Sequence, residues 1–232
     1  MVSRSINIQS DDGKSFTGYL SLPPTGSGPG IVLIQEIFGV NQHIRAVADQ
    51  YAMAGYVVLA PDVFWRLEPG VDVGYSPADM QKAMSMMQQL DAEKAVKDLT
   101  SAVQTLRALP ECTGKVASLG YCMGGRLSYL CAANAGVDAA VCYYPGGIEG
   151  QLGQVEKVKC PIMFHFAQND DHISMDAVAA VKKAFAGKSN ATVEVYPAVD
   201  HGFNCWGRPS YHQSTAALAH GRSLSLLATA LG

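Results

Sequence analysis

Cys122 stands in the pentapeptide Gly120-Tyr121-Cys122-Met123-Gly124, with glycine two residues before and two residues after a thiol. A nucleophile at the tip of a sharp strand-to-helix turn needs small neighbours at those places, because the two backbones approach closely there. Such a thiol becomes reactive when a base takes its proton and a third group orients the base. Two downstream segments offer these groups, Asn169-Asp170-Asp171-His172 and Asp200-His201-Gly202. On spacing alone, Asp170 competes with Asp171 for the acid role and His172 with His201 for the base. His201 is preferred because Gly202 and Phe203 leave it in a mobile, exposed loop, whereas His172 leads through Ile173 into a helix. His43, His165, His212 and His220 read as surface or satisfied core residues. The competing reading of Cys122 is a buried small hydrophobe, a common fate of free cysteine.

Positioning these groups requires strands that end beside one another. Residues 115–119 read as a buried strand leading into the turn, and 126–134 carry a helix-like apolar pattern in Leu127, Leu130 and Cys131. Residues 5–9 and 16–22 form an expected strand pair joined by Asp11-Asp12-Gly13-Lys14. Further strands are expected at 31–34, 56–60, 139–143, 162–166 and 192–196, and helices at 41–54, 92–109, 174–185 and 211–231. This alternation predicts an α/β fold with a mostly parallel, doubly wound sheet and helices on both faces. Ligands of such sheets sit at the carboxyl ends of the strands, where Cys122, Asp170 and His201 all fall. The stretch 66–77 is irregular and is expected to flank the active site. With no repeat or long linker, residues 1–232 are expected to form one domain.

At 232 residues and 48% hydrophobic content the chain suffices for one large core. A formal net charge of -3 gives no basic field for nucleic acid or an anionic membrane surface, so neither is an expected partner. The amino terminus lacks an apolar run of signal-peptide length and no segment approaches a membrane span, which predicts a cytoplasmic protein, monomeric or a small homo-oligomer. The six cysteines are scattered, without a Cys-x-x-Cys pair or zinc-ligand spacing. Free thiols in a reducing compartment fit best, and neither a metal nor another cofactor is expected.

The order Cys122, Asp170, His201 is the nucleophile, acid and histidine order of α/β-hydrolases. Glu36 follows directly on the strand that supplies the oxyanion loop in that architecture, so the backbone N–H groups of Ile37 and Met123 are candidates for holding an oxyanion. Gln35-Glu36-Ile37-Phe38-Gly39-Val40-Asn41, Pro61-Asp62, Gly120-Tyr121-Cys122-Met123-Gly124-Gly125, Asp170 and His201-Gly202-Phe203 together resemble the dienelactone hydrolase (carboxymethylenebutenolidase) family over nearly the whole chain. The resemblance implies an α/β-hydrolase fold and a Cys-His-Asp triad that opens cyclic esters through an acyl-enzyme. It further implies that Glu36 holds the resting cysteine and releases it as thiolate when substrate binds. It also points to Asp170 as the acid, since the family's aspartate lies five residues after a strand-end histidine, here His165.

The chain departs from the family where two arginines bind the substrate carboxylate. Met80 and Cys205 occupy those positions. Lys82 and Arg208 lie nearby, but each needs a shifted backbone to reach the same point, and lysine lacks the bidentate fork. Met80, Met84 and Met87 recur on one helix face, as core packing or as a pocket wall. As a wall, with Phe38, Phe203 and Trp206, they predict a preference for neutral, apolar esters. An uncharged phosphotriester or aryl ester is the alternative substrate of the same thiolate. Glutamine amidotransferases also carry a cysteine elbow, but the histidine they require close after it, or in a carboxyl-terminal His-x-Glu pair, does not occur here. A non-catalytic, thiol-sensing relative would carry a broken triad.

Overall fold

The computed structural model describes residues 2–232. Its strands are β1 (Val2–Gln9), β2 (Ser15–Leu22), β3 (Gly28–Ile34), β4 (Val57–Pro61), β5 (Cys112–Tyr121), β6 (Ala139–Tyr143), β7 (Ile162–Ala167) and β8 (Ala191–Tyr196). They form one sheet in the order β1-β2-β4-β3-β5-β6-β7-β8. β1 and β2 make the expected hairpin and β2 joins β4 antiparallel, whereas all later neighbours pair in parallel. Apolar runs such as Ile31-Val32-Leu33-Ile34 are buried throughout, as strands covered on both faces must be.

The helices are α1 (Gln42–Met53), α2 (Pro77–Gln89), α3 (Ala92–Ala108), α4 (Met123–Asn134), α5 (Met175–Ala184) and α6 (Gln213–Leu231). α1, α2, α3 and α5 begin at side-chain acceptors that cap them. Asn41 caps α1 through Ile44 N–H, Asp91 caps α3, and Ser174 caps α5. Register shows that both faces are covered. Ser118 on β5 pairs with Ala140 on β6 and bonds to Ser128 of α4, while Tyr143, three residues beyond Ala140 and so on the opposite face, bonds to Ser223 of α6.

Two segments exceed the sequence expectation. Residues 148–157 form a 3-10 helix that no apolar periodicity announced. α2 begins with a capping box in which Ser76 and Asp79 satisfy each other's backbone N–H, with Pro77 in the first turn. The irregular stretch before it is tied down: the Asp62 carboxylate accepts from Phe64 and Gly70 N–H, and Val73 N–H donates to the Phe38 carbonyl at 3.1 Å. It therefore flanks the loop after β3, and α2 closes over the carboxyl ends of the strands. Among the described residues no helix is long and apolar enough to cross a membrane.

Candidate active site

Cys122 is the residue between β5 and α4, with φ 56° and ψ −117°. A non-glycine residue in that region stores about 1–3 kcal/mol of strain, which the surroundings must impose. They do so through backbone contacts. A Cβ at Gly120 would strike the Gly124 carbonyl, and one at Gly124 would strike the carbonyls of Ile34 and Gln35. Cys122 N–H donates to the Tyr143 carbonyl at 3.0 Å, and the Cys122 carbonyl accepts from Gly125 N–H. The thiol is thereby presented, partly exposed, at the amino-terminal end of α4.

Asp170 and His201 meet beside it. His201 Nδ1–H donates to Asp170 Oδ2 at 2.8 Å, while Asp170 Oδ1 accepts the N–H groups of His172 and Ile173 at 2.8 and 3.0 Å. The carboxylate is thus fixed by the loop it belongs to and has one oxygen left for the ring. Asp171, the competing acid, is 79% exposed and contacts His172 instead. The exposed loop expected from sequence is not what holds His201, which is only 4% exposed because the turns after it pack inward; its Nε2 is buried with no protein hydrogen-bond partner, and its ring lines the cavity that Cys122 lines. Burial opposes charge on this ring, but the Asp170 carboxylate and the Cys122 sulfur outweigh it and raise His201 to about 10. Tyr144 and His172 pack against the ring, at centroid distances of 4.9 and 4.8 Å.

Glu36 follows β3 and is 1% exposed, with neither carboxylate oxygen hydrogen-bonded. Burial pushes its carboxyl upward, opposed by the positive charges of Arg208 and His201. Arg208 Nη1 lies 3.6 Å from Oε1. Ile37 and Met123 line the same cavity. Met123 is the first residue of α4, so its N–H has no intrahelical acceptor and points with the positive end of the helix dipole. The cavity, about 230 Å³, is walled by Phe38, Met80, Met84 and Met87, with Arg126 and Arg208 among its other lining residues.

Comparison with known proteins fits this geometry. The profile of the Dienelactone hydrolase family matches residues 16–231. The carboxymethylenebutenolidase of Pseudomonas putida is 36% identical over 231 residues, covering 98% of this chain and 97% of its own. The chain belongs to the dienelactone hydrolase family. It is an ester or lactone hydrolase with an α/β-hydrolase fold. A Klebsiella pneumoniae structure named as a dienelactone hydrolase superposes with a TM-score of 0.85 at 26% identity, covering 98% of each chain. A dienelactone hydrolase-like promiscuous phosphotriesterase from metagenomic libraries shares the fold, with a TM-score of 0.82, 22% identity and full coverage of both chains.

Several expected binding residues of this family member lie elsewhere. Phe203 is fully buried among Tyr143, Tyr144 and Tyr196. Cys205 is also buried, its thiol donating to the Tyr75 hydroxyl at 3.2 Å. Trp206 packs edge-on against His43 and lines a different cavity. Lys82 turns away to Glu68. Arg208, however, does reach the cavity, so the absence of arginine at 80 and 205 does not leave it without a cation. Sequence reasoning passed over Arg126, Tyr144 and the wall position of His172. Arg126 had a signal: it lies one helical turn beyond Cys122, and helix side chains lean back toward the amino terminus.

Proposed function

We infer that Cys122, His201 and Asp170 act as nucleophile, base and orienting acid in ester or lactone hydrolysis. The observation that carries this reading is the 2.8 Å bond between His201 and Asp170 beside a thiol held at positive φ. With Nδ1–H committed to Asp170, Nε2 is the nitrogen that takes and holds the thiol proton, a transfer that the raised basicity of the ring favours. The sulfur attacks the carbonyl carbon, and the N–H groups of Ile37 and Met123 receive the oxyanion. Its collapse expels the alkoxide, which takes the proton from His201 and leaves a thioester on Cys122. Water, deprotonated by the same nitrogen, then releases the acid and restores the thiol. Glu36, 3.6 Å from Arg208, is the candidate for holding the resting thiol.

The methionine wall and Phe38 support a small substrate with an apolar body. Arg126 and Arg208 add cations to the same space, so the reading extends from the neutral esters expected from sequence to esters that carry an anionic end. The test is hydrolysis of dienelactone, a neutral aryl ester and an uncharged phosphotriester by wild type, Cys122→Ala and His201→Ala. Mass spectrometry of the quenched reaction should find the acyl adduct on Cys122. Full turnover by Cys122→Ala would end the thiol mechanism.

A further inference from the structure

Next to the cavity three buried donors converge from separate elements. Glu36 comes from the end of β3, His43 from the first turn of α1, and Cys205 from the loop after His201. One ligand atom of each lies within 4.8 Å of the others. They are 1%, 5% and 0% exposed, respectively. Both oxygens of Glu36 and both nitrogens of His43 lack hydrogen-bond partners. An unpaired buried polar group is unfavourable by about 1–3 kcal/mol, and a ligand at the shared point would satisfy one atom each of Glu36 and His43.

We propose that Glu36, His43 and Cys205 bind a borderline-soft divalent cation of the zinc type. Carboxylate oxygen, imidazole nitrogen and thiolate sulfur are donors that zinc accepts together, and three protein ligands leave a fourth position for water. Tetrahedral bonds of ~2.0–2.3 Å hold donors about 3.5 Å apart, so donors within 4.8 Å need to close by at most roughly 1.3 Å. On binding, the Cys205 S–H bond breaks, a metal–sulfur bond forms, and the proton leaves to solvent. The Tyr75 hydroxyl, which now accepts from Cys205, then donates to the thiolate.

The carboxylate and thiolate together balance the ion's charge, while Arg208 beside Glu36 opposes it and sets the site toward modest affinity. His43 also lines a second cavity of about 530 Å³ with Tyr75 and Trp206, which gives an entry path from solvent. Trp206 is 44% exposed and its ring covers His43 at 4.3 Å, so movement of one side chain opens the way. A cation here draws Glu36 from Arg208, and hydrolysis falls as the site fills. That consequence rests on the role inferred for Glu36, whereas binding does not.

The experiment titrates Zn²⁺ calorimetrically, and Co²⁺ by absorption, into reduced wild type, Cys122→Ala, His43→Leu and Cys205→Ser, with thermal melting to verify folding. One ion per chain is expected in wild type and in Cys122→Ala, with binding weaker by at least about tenfold in His43→Leu and Cys205→Ser. The thiolate-to-cobalt band should persist in Cys122→Ala and vanish in Cys205→Ser. If His43→Leu does not fold, Cys205→Ser decides alone. No binding, binding that survives loss of His43 and Cys205, or binding lost with Cys122 overturns the site. None of these readouts is turnover, so failure here leaves the hydrolase reading standing.

Discussion

Replacing Asp170 with asparagine removes one charge and leaves the shape, and the two possible amide orientations have unequal consequences. In one, the asparagine oxygen keeps the N–H groups of His172 and Ile173, and its NH₂ faces His201 Nδ1. In the other, the oxygen faces the ring while the NH₂ opposes two backbone donors. The second orientation loses both backbone bonds to the side-chain oxygen, each ~0.5–1.5 kcal/mol for a neutral amide, so about 1–3 kcal/mol favours the first. In the favoured form NH₂ donates to Nδ1, the proton moves to Nε2, and the ring can no longer accept from Cys122. A wrong tautomer in an otherwise intact triad lowers kcat by about 10⁴, and a loss of about 10³–10⁴ is expected here. Stability should change by no more than about 3 kcal/mol, because the loop keeps its Asx turn. The assay is initial rates on a neutral aryl ester, normalised to folded enzyme by thermal melting. An Asp170→Asn enzyme within tenfold of wild-type kcat, or one altered in KM alone, would refute the tautomer reasoning.

Gly124→Ala should destabilise by about 3 kcal/mol or fail to fold, since the new methyl meets the Ile34 and Gln35 carbonyls; chemical denaturation measures it, and a loss below about 1 kcal/mol would contradict the close contact. Arg126→Ala should lower kcat/KM for carboxylate-bearing esters by roughly 10–100-fold, the equivalent of one charge-assisted contact, and leave neutral esters within about twofold. His201 is raised from 6.5 to about 10, so its contribution to stability is full below about pH 6.5 and is lost as pH rises through about 10. Melting temperature should therefore fall over that alkaline window in wild type more than in His201→Asn. His43 and His165 are lowered by burial to about 4 and about 3, so acidification below pH 6.5 favours unfolding by about 1.4 kcal/mol per pH unit for each group. His165→Gln should flatten the acid limb of the melting profile.

The elbow was legible because its requirement is local: Gly120 and Gly124 must be small wherever strand and helix meet so closely. Asp170 was separable from Asp171 only by resemblance, and the geometric reason is an Asx turn that spacing does not reveal. The fold followed from the alternation of apolar runs and capped helices, while residues 148–157 escaped because a 3-10 helix leaves no 3.6-residue pattern. The wall of the cavity was half legible. Met80 and Met84 announced a helical face, but Phe203 and Trp206 were grouped with them as apolar side chains, and Cys205 entered as the position of a family arginine. The turns after His201 carry these three into the core and toward His43, and bring Arg208 round to Glu36. The Glu36, His43 and Cys205 cluster was invisible for the same reason, since Cys205 is distant in sequence from the other two.

α2 is held by a capping box and an outer Lys82–Glu68 pair, and it buries only Ala83 and Met86 of its thirteen residues. The thiol beneath it is set by backbone contacts at Gly120 and Gly124 that exchanges on α2 do not touch. The methionine wall and the turn that holds Cys122 therefore belong to separate parts of the molecule. Exchange of Met80, Met84 and Met87 in combination can reshape this wall of the cavity without touching the turn that holds Cys122, so the helix is the evolvable panel of the enzyme.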